Sequence, residues 1–143
     1  MSAAMLLETD WARDAPRLAA VRRAVFIDEQ GVPEHMEWDA DDAVSTHWLA
    51  LVDGEPVGCA RLLPDGWIGR MAVLPAWRGR GIGRALLGAA LAAARERGHR
   101  TVRLSAQRHA AAFYARAGFV VSGDVYEEAG IPHVAMQKTL AAT

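Results

Sequence analysis

Met71-Ala-Val-Leu-Pro-Ala-Trp-Arg-Gly-Arg-Gly-Ile-Gly-Arg84 runs from the end of an apolar strand, through a turn with glycine at every second position, straight into a helix. From Ile82 to Arg97 the residues Ile82, Leu86, Leu87, Ala90, Leu91 and Ala94 fall on one apolar stripe, and Gly98 supplies the stop. The first turn of a helix carries N–H groups without intrahelical partners and a partial positive charge, and glycines let an anion approach the main chain. Arg78, Arg80 and Arg84 add charge around that turn. A loop that merely needs positive φ would account for the glycines, but not for the three arginines or the helix start. The segment therefore reads as a phosphate-binding turn. It is not a Walker turn, which needs Gly-Lys followed by Ser or Thr. Nor is it the dinucleotide fingerprint G-x-G-x-x-G, because Gly79, Gly81 and Gly83 are spaced two and two.

Upstream, two apolar runs between His47 and Leu63 are split by Asp53-Gly54, a hairpin signal, and Trp67 to Val73 forms the third strand of a meander after Pro64-Asp65-Gly66. Alternation along this third strand puts Ile68, Arg70 and Ala72 on one face and Gly69, Met71 and Val73 on the other. Arg70 then needs a partner, and the acids between residues 28 and 42 are the candidates. Ala15 to Phe26 has helical spacing, with Asp14 as its N-cap and Pro16 in its first turn. Asp28 to Ser45 reads as a polar loop with one short helix around Pro33 to Met36. Downstream come a strand at Thr101 to Ser105, a helix at Arg108 to Ala117 ended by Gly118, and strands at Phe119 to Val125 and Pro132 to Lys138. An antiparallel run followed by helical crossovers gives an α/β domain: a mixed, mostly antiparallel sheet with one parallel pair and helices on both faces.

At 143 residues and 15.4 kDa the chain is one domain, spanning 1–143, with 52% hydrophobic and 23% charged residues. No apolar run approaches the ~20 residues of a membrane span, and the N-terminus has no leader pattern, so the expected address is the cytoplasm. Cys59 is the only cysteine, which excludes internal disulfides and multi-cysteine zinc sites; inside a strand it reads as a small core residue. No metal site is expected. The net charge of −1 conceals a division. Residues 1–58 carry twelve acids and four arginines, whereas residues 59–143 carry five acids and twelve bases. Asp28 to Asp42 alone holds seven acids and no base, which fits either a solvated loop or attraction for a cation.

The turn Arg78-Gly79-Arg80-Gly81-Ile82-Gly83 is similar to the acyl-CoA signature Arg/Gln-x-x-Gly-x-Gly/Ala of the GNAT N-acetyltransferase superfamily. Ile68 to Pro75 resembles the family's fourth strand, and Gln107 to Phe119, with its Tyr-x-x-x-Gly-Phe, resembles its fourth helix and the turn beyond. Phe26-Ile-Asp-Glu-Gln30 and Ala106-Gln107 further resemble the ElaA-type branch of small bacterial acetyltransferases. The resemblance covers most of the chain. It implies a cofactor, acetyl-CoA, whose pantetheine arm bonds the main chain of Met71 and Val73 between two splayed strands. An unpaired N–H near Ala72 would meet the thioester carbonyl, and the amides of Gly79, Arg80, Gly81, Ile82, Gly83 and Arg84 would hold the diphosphate. Gln107, standing where many members of the family have Asn, would reach the cofactor directly or through a water, and Tyr114 would also border the cofactor.

Acetyl transfer to an amine needs a general base, an oxyanion donor and a general acid. By the resemblance Tyr114 takes the acid's place. Glu29, in the acidic segment, is the first choice for the base, with His47, His109 and His133 behind it. The expected reaction is direct transfer to a primary amine of a small molecule or peptide in a ternary complex, and the acidic run favours a cationic acceptor. An acyl-cysteine carrier is not needed. A non-catalytic acyl-CoA sensor is the alternative. Nucleic acid is excluded as a partner by the charge of −1 and the lack of a basic aromatic stripe. Trp38, Trp48, Trp67 and Trp77 lie in or beside segments that border the acceptor groove, and exposed tryptophans would make a homodimer unsurprising.

Overall fold

The computed structural model describes residues 3–140. Strand β1 (Met5–Thr9) leads into α1 (Trp11–Arg22), which runs on through a π-helical turn at Arg23–Glu29. Then come α2 (Glu34–Glu37), a 3₁₀ turn at Ala40–Val44 and the meander β2 (Thr46–Val52), β3 (Glu55–Leu62) and β4 (Trp67–Val73). The second half holds α3 (Ile82–Glu96), β5 (Thr101–Gln107), α4 (Ala111–Arg116), β6 (Val120–Glu128) and β7 (Ile131–Thr139). The seven strands form one sheet in the order β1-β2-β3-β4-β5-β7-β6. Every pair is antiparallel except β4 and β5, as the two halves of the sequence require.

Two apolar clusters sandwich the sheet. Leu86, Leu87, Ala90 and Ala94 of α3 pack with Trp48, Leu62, Ile68, Leu104 and Met136 on one face. Leu18, Val21 and Val25 pack with Leu49, Cys59 and Ala72 on the other. Gly58 marks how closely α3 lies on the sheet. A Cβ there would sit 3.1 Å from Leu86 Cδ1, 3.2 Å from Ile82 Cγ2 and 3.2 Å from the Ala72 carbonyl, and a strand carbonyl cannot step aside. Gly58→Val is expected to cost about 1–3 kcal/mol through overpacking. A urea midpoint equal to that of the parent would contradict the close approach.

Three features depart from the sequence reading. Strand β1 was not anticipated: it is an edge strand, exposed except at Thr9, so no alternation advertises it. Asp10 rather than Asp14 is the N-cap of α1, its carboxylate accepting from the Arg13 amide at 2.9 Å, while Asp14 sits at a kink (φ −130°, ψ 22°). The alternation along β4 also fails. Gly69 pairs with Arg61 and Ala72 with Cys59, so Arg70 and Met71 together oppose Ala60 in a β-bulge, with Arg70 at φ +46°. The extra residue reverses the faces beyond it. Ile68 therefore stays on the α3 side, joined by Met71 and Val73, while Ala72 turns toward α1.

Candidate active site

The parallel pair is short. β4 and β5 are in register only at Trp67 with Arg103 and Ile68 with Leu104, after which they diverge and leave a gap between Gly69–Val73 and Ser105–Gln107. β5 stays paired with β7 along its whole length, so the opening is on the β4 side. The Leu74 amide bonds the Val57 carbonyl at 2.9 Å. Because ladder bonds alternate, the main chain of Val73, opposite Gly58, faces away from β3 and into the gap. Ala72 is different: by the same alternation its main chain, opposite Cys59, faces β3, while the Cys59 thiol donates to the Arg70 carbonyl at 3.2 Å. Met71 and Val73 are half-buried beside the α3 core.

Beyond β4 the glycine turn behaves as its residues require. Gly79 and Gly81 adopt φ of +76° and +82°, and a Cβ at either would meet nothing within 4 Å. Space for a ligand is left around them. Gly81 opens α3 with no side-chain cap, so the first-turn amides of Ile82, Gly83 and Arg84 are left for an anion. Gly83 is not in the left-handed region; a Cβ there would lie 3.6 Å from the Phe113 ring, between α3 and α4. Ile82 is buried, whereas Arg78, Arg80 and Arg84 are exposed. The Arg80 guanidinium lies 4.7 Å from the centre of the Trp77 ring. On the β1 side of the turn, a hollow of about 430 Å³ borders Leu6, Trp77, Arg80 and Ile82 and touches neither β4 nor β5.

Tyr114 is half-buried on α4, held edge-on by Phe113 (5.1 Å) and Phe119 (6.0 Å). Burial pushes its phenol up to about 12, so it is a proton donor throughout the neutral range. Glu29 is an exposed carboxylate at the end of the π-helical turn. It accepts from Arg78 Nη2 at 2.6 Å and Nη1 at 2.8 Å, and this bond with the charge behind it holds the carboxyl below its usual value. The same Arg78 donates Nε–H to the Val73 carbonyl at 2.9 Å. Gln107, at the end of β5, exchanges amide hydrogen bonds with Gln30 at 2.7 and 3.2 Å.

The family profile described as acetyltransferase (GNAT) domain matches residues 12–140. The chain belongs to the GNAT family. A crystallised acyl-CoA N-acyltransferase from Pseudomonas aeruginosa has a TM-score of 0.85 at 35% identity, covering 95% of this chain and 99% of its own. Escherichia coli ElaA has a TM-score of 0.85 at 31% identity, covering 94% and 99%. The uncharacterized N-acetyltransferase YjcF of Bacillus subtilis is 38% identical over 123 residues, 82% of this chain and 87% of its own. The GNAT fold is that of the structure, and the protein is an acyltransferase; its family binds acyl-CoA and acts on amines.

Within the GNAT frame the acidic run acquires an internal use. Glu37 and Asp42 bind buried Arg22, Asp39 and Asp42 bind Arg61, Glu37 and Asp39 bind Arg70, Glu34 binds Arg23 and Glu29 binds Arg78. Arg70 thus finds its acidic partner as expected, but five of the run's seven acids are ion-paired with the chain's own arginines, which weakens the argument for a cationic acceptor. The tryptophans do not form a patch. Trp48 is buried and Trp11, Trp38, Trp67 and Trp77 are half-buried, which removes the ground on which a homodimer was anticipated.

The three histidines lie in different places, only His133 being beside the gap, as the register partner of Gln107 across β5 and β7. His47 is buried, its Nε2 2.9 Å from the Asp42 carbonyl, and burial pulls its pKa down despite that bond. His109 is exposed. His133 donates Nδ1–H to the Ile131 carbonyl at 2.7 Å and stacks on Tyr126. Cys59 is buried, its thiol pushed up to about 12 by desolvation. Among the described residues no cluster of His, Cys, Asp and Glu could hold a metal ion, and no helix is long and apolar enough to cross a membrane. Sequence reasoning missed Gln30 as the partner of Gln107. Its neighbour Glu29 drew attention by charge, whereas an amide 77 positions from its partner leaves no local signal.

Proposed function

We propose that the protein transfers the acetyl group of acetyl-CoA directly to a primary amine of a small molecule or peptide, with both bound at once. The observation that carries this reading is the gap between β4 and β5 opening beside an uncapped, glycine-turned helix start ringed by arginines. These residues fit the cofactor. The α3 amides and Arg80 and Arg84 would take the diphosphate, and the Val73 main chain, facing the gap, would take the amide of the arm. Acetyl-CoA supplies an activated thioester. Tyr114, protonated by virtue of its burial, donates to the departing thiolate. Glu29, ionised at neutral pH, receives the amine's proton and, as a weak base beside Arg78, passes it to water. The Cys59 thiol, buried and held protonated, supports direct attack over an acyl-cysteine carrier.

Titration calorimetry with acetyl-CoA should give a binding heat, and Arg80→Glu with Arg84→Glu should weaken the affinity by roughly tenfold or more, since each reversal removes a charge-assisted contact. No heat with the parent chain would overturn the proposal. Thiol release on an amine panel then separates an enzyme from an acyl-CoA sensor, which would bind and release nothing.

A further inference from the structure

Two adjacent residues, Glu29 and Gln30, hold the two lips of the gap. Glu29 grips Arg78, which itself grips the Val73 carbonyl at the open end of β4. Gln30 grips Gln107 at the open end of β5 through two reciprocal amide bonds. The opposite end of the gap is shut where Ile68 pairs with Leu104. The gap is therefore not an open V but a closed window, bounded by β4, the paired apex, β5 and a Glu29–Gln30 strap. From Leu104 to Gln107 is three residues, about 10 Å at ~3.3 Å per residue.

The strap lies on one side of the sheet. Ala106 points into the α3 core, so Gln107, its strand neighbour, points to the α1 side, and Gln30 reaches it from the turn that continues α1. The base of the strap is pinned: the Gln30 amide bonds the Val25 carbonyl, the Gly31 amide Ile27 and the Val32 amide Phe26. A thioester entering along β4 from the α3 side would direct its acyl tail through the window to the strap.

Resting on the reading of the site as an acyl-CoA cleft, we propose that the Gln30–Gln107 pair sets the acyl-chain length, admitting a short acyl group and meeting a longer one with two hydrogen bonds that must break. Two neutral bonds, each worth about a two- to tenfold factor, give a penalty of roughly four- to hundredfold, about twenty-five-fold at the middle of that range. The test is calorimetry of CoA, acetyl-CoA and hexanoyl-CoA against the full chain, Gln30→Ala, and Gln30→Ser as a second variant should the alanine chain fold poorly. The parent should bind hexanoyl-CoA at least tenfold more weakly than acetyl-CoA. In either variant that ratio should shrink to within about threefold, with the affinity for CoA itself unchanged. Equal affinities in the parent, or the parent's ratio surviving in the variants while CoA still binds, would overturn the strap alone. Failure of every ligand to bind would overturn it together with the acyl-CoA reading.

Discussion

Arg22→Met is expected to lower the unfolding free energy by about 3 kcal/mol, the largest stability loss from any single arginine in the chain. Arg22 is 1% exposed. Its Nε donates to Glu37 Oε2 at 2.8 Å, its Nη1 to Asp42 Oδ1 at 2.7 Å, and its Nη2 to the Glu37 carbonyl at 2.7 Å. The guanidinium lies 5.3 and 5.1 Å from the Trp11 and Trp38 rings. Removing one partner of a buried ion pair costs about 3–5 kcal/mol because the other charge is left without compensation. Here the lower end applies, since Arg61 still reaches Asp42 at 3.0 Å and Arg70 still reaches Glu37 at 3.0 Å. Arg23→Ala is the control: its pair with Glu34 is exposed, and such pairs contribute little. Urea denaturation of both variants decides the matter, and equal midpoints would show that Arg22 is not holding α1 to the segment 34–42.

Two carboxyls of this network shift in opposite directions: burial raises Glu37 above its usual value despite Arg70 and Arg22, whereas Asp42 gives stability its acid limb. Burial alone would raise the Asp42 carboxyl, but hydrogen bonding and charge from Arg22, then Arg61, outweigh it and hold the group below its usual value. A carboxylate depressed in the folded state contributes stability above its unfolded pKa of about 3.9 and loses it as pH falls through the folded value. In Arg22→Met much of that depression disappears, so the acid limb of the stability curve should flatten.

What could be read from sequence was what is local. The glycine turn, its arginines and the α3 stripe lie within thirty residues, and each property depends on neighbours along the chain: positive φ at Gly79 and Gly81, free amides at the helix start, a buried face from Ile82 to Ala94. The hairpin at Asp53-Gly54 is local for the same reason, with φ of +50° and +81° at its two turn residues. The bulge at Arg70 is not local. It goes with contacts from Arg70 to the Glu37 carboxylate and carbonyl, 33 positions earlier, and no periodicity along β4 announces it. The acidic run was visible as charge, but its meaning lay in five arginines brought to it by the fold. The Gln30–Gln107 pair is the extreme case: Gln107 stood out only through the family resemblance, and nothing in the charge or hydrophobicity of two neutral amides announces that they meet.

Tyr114→Phe should reduce kcat roughly a hundredfold or more while leaving acetyl-CoA affinity and the thermal midpoint close to the parent values. The ring is what packs: its edge-on contacts with Phe113 and Phe119 survive in phenylalanine. Only the hydroxyl goes, and it makes no hydrogen bond to another group among the described residues whose loss would unsettle the core. Its proton is the asset. A phenol raised to about 12 by burial is protonated across the working range, so the parent's rate should show no alkaline decline near pH 10, where an ordinary tyrosine would begin to ionise. A positioned general acid contributes about a hundred- to ten-thousandfold, which sets the size of the loss. A structural role predicts the reverse pattern, with stability falling and kcat little changed. Steady-state thiol release from pH 6 to 10, alongside calorimetry and melting of the same preparation, separates the two, and unchanged kcat in the phenylalanine variant would leave protonation of the thiolate to water.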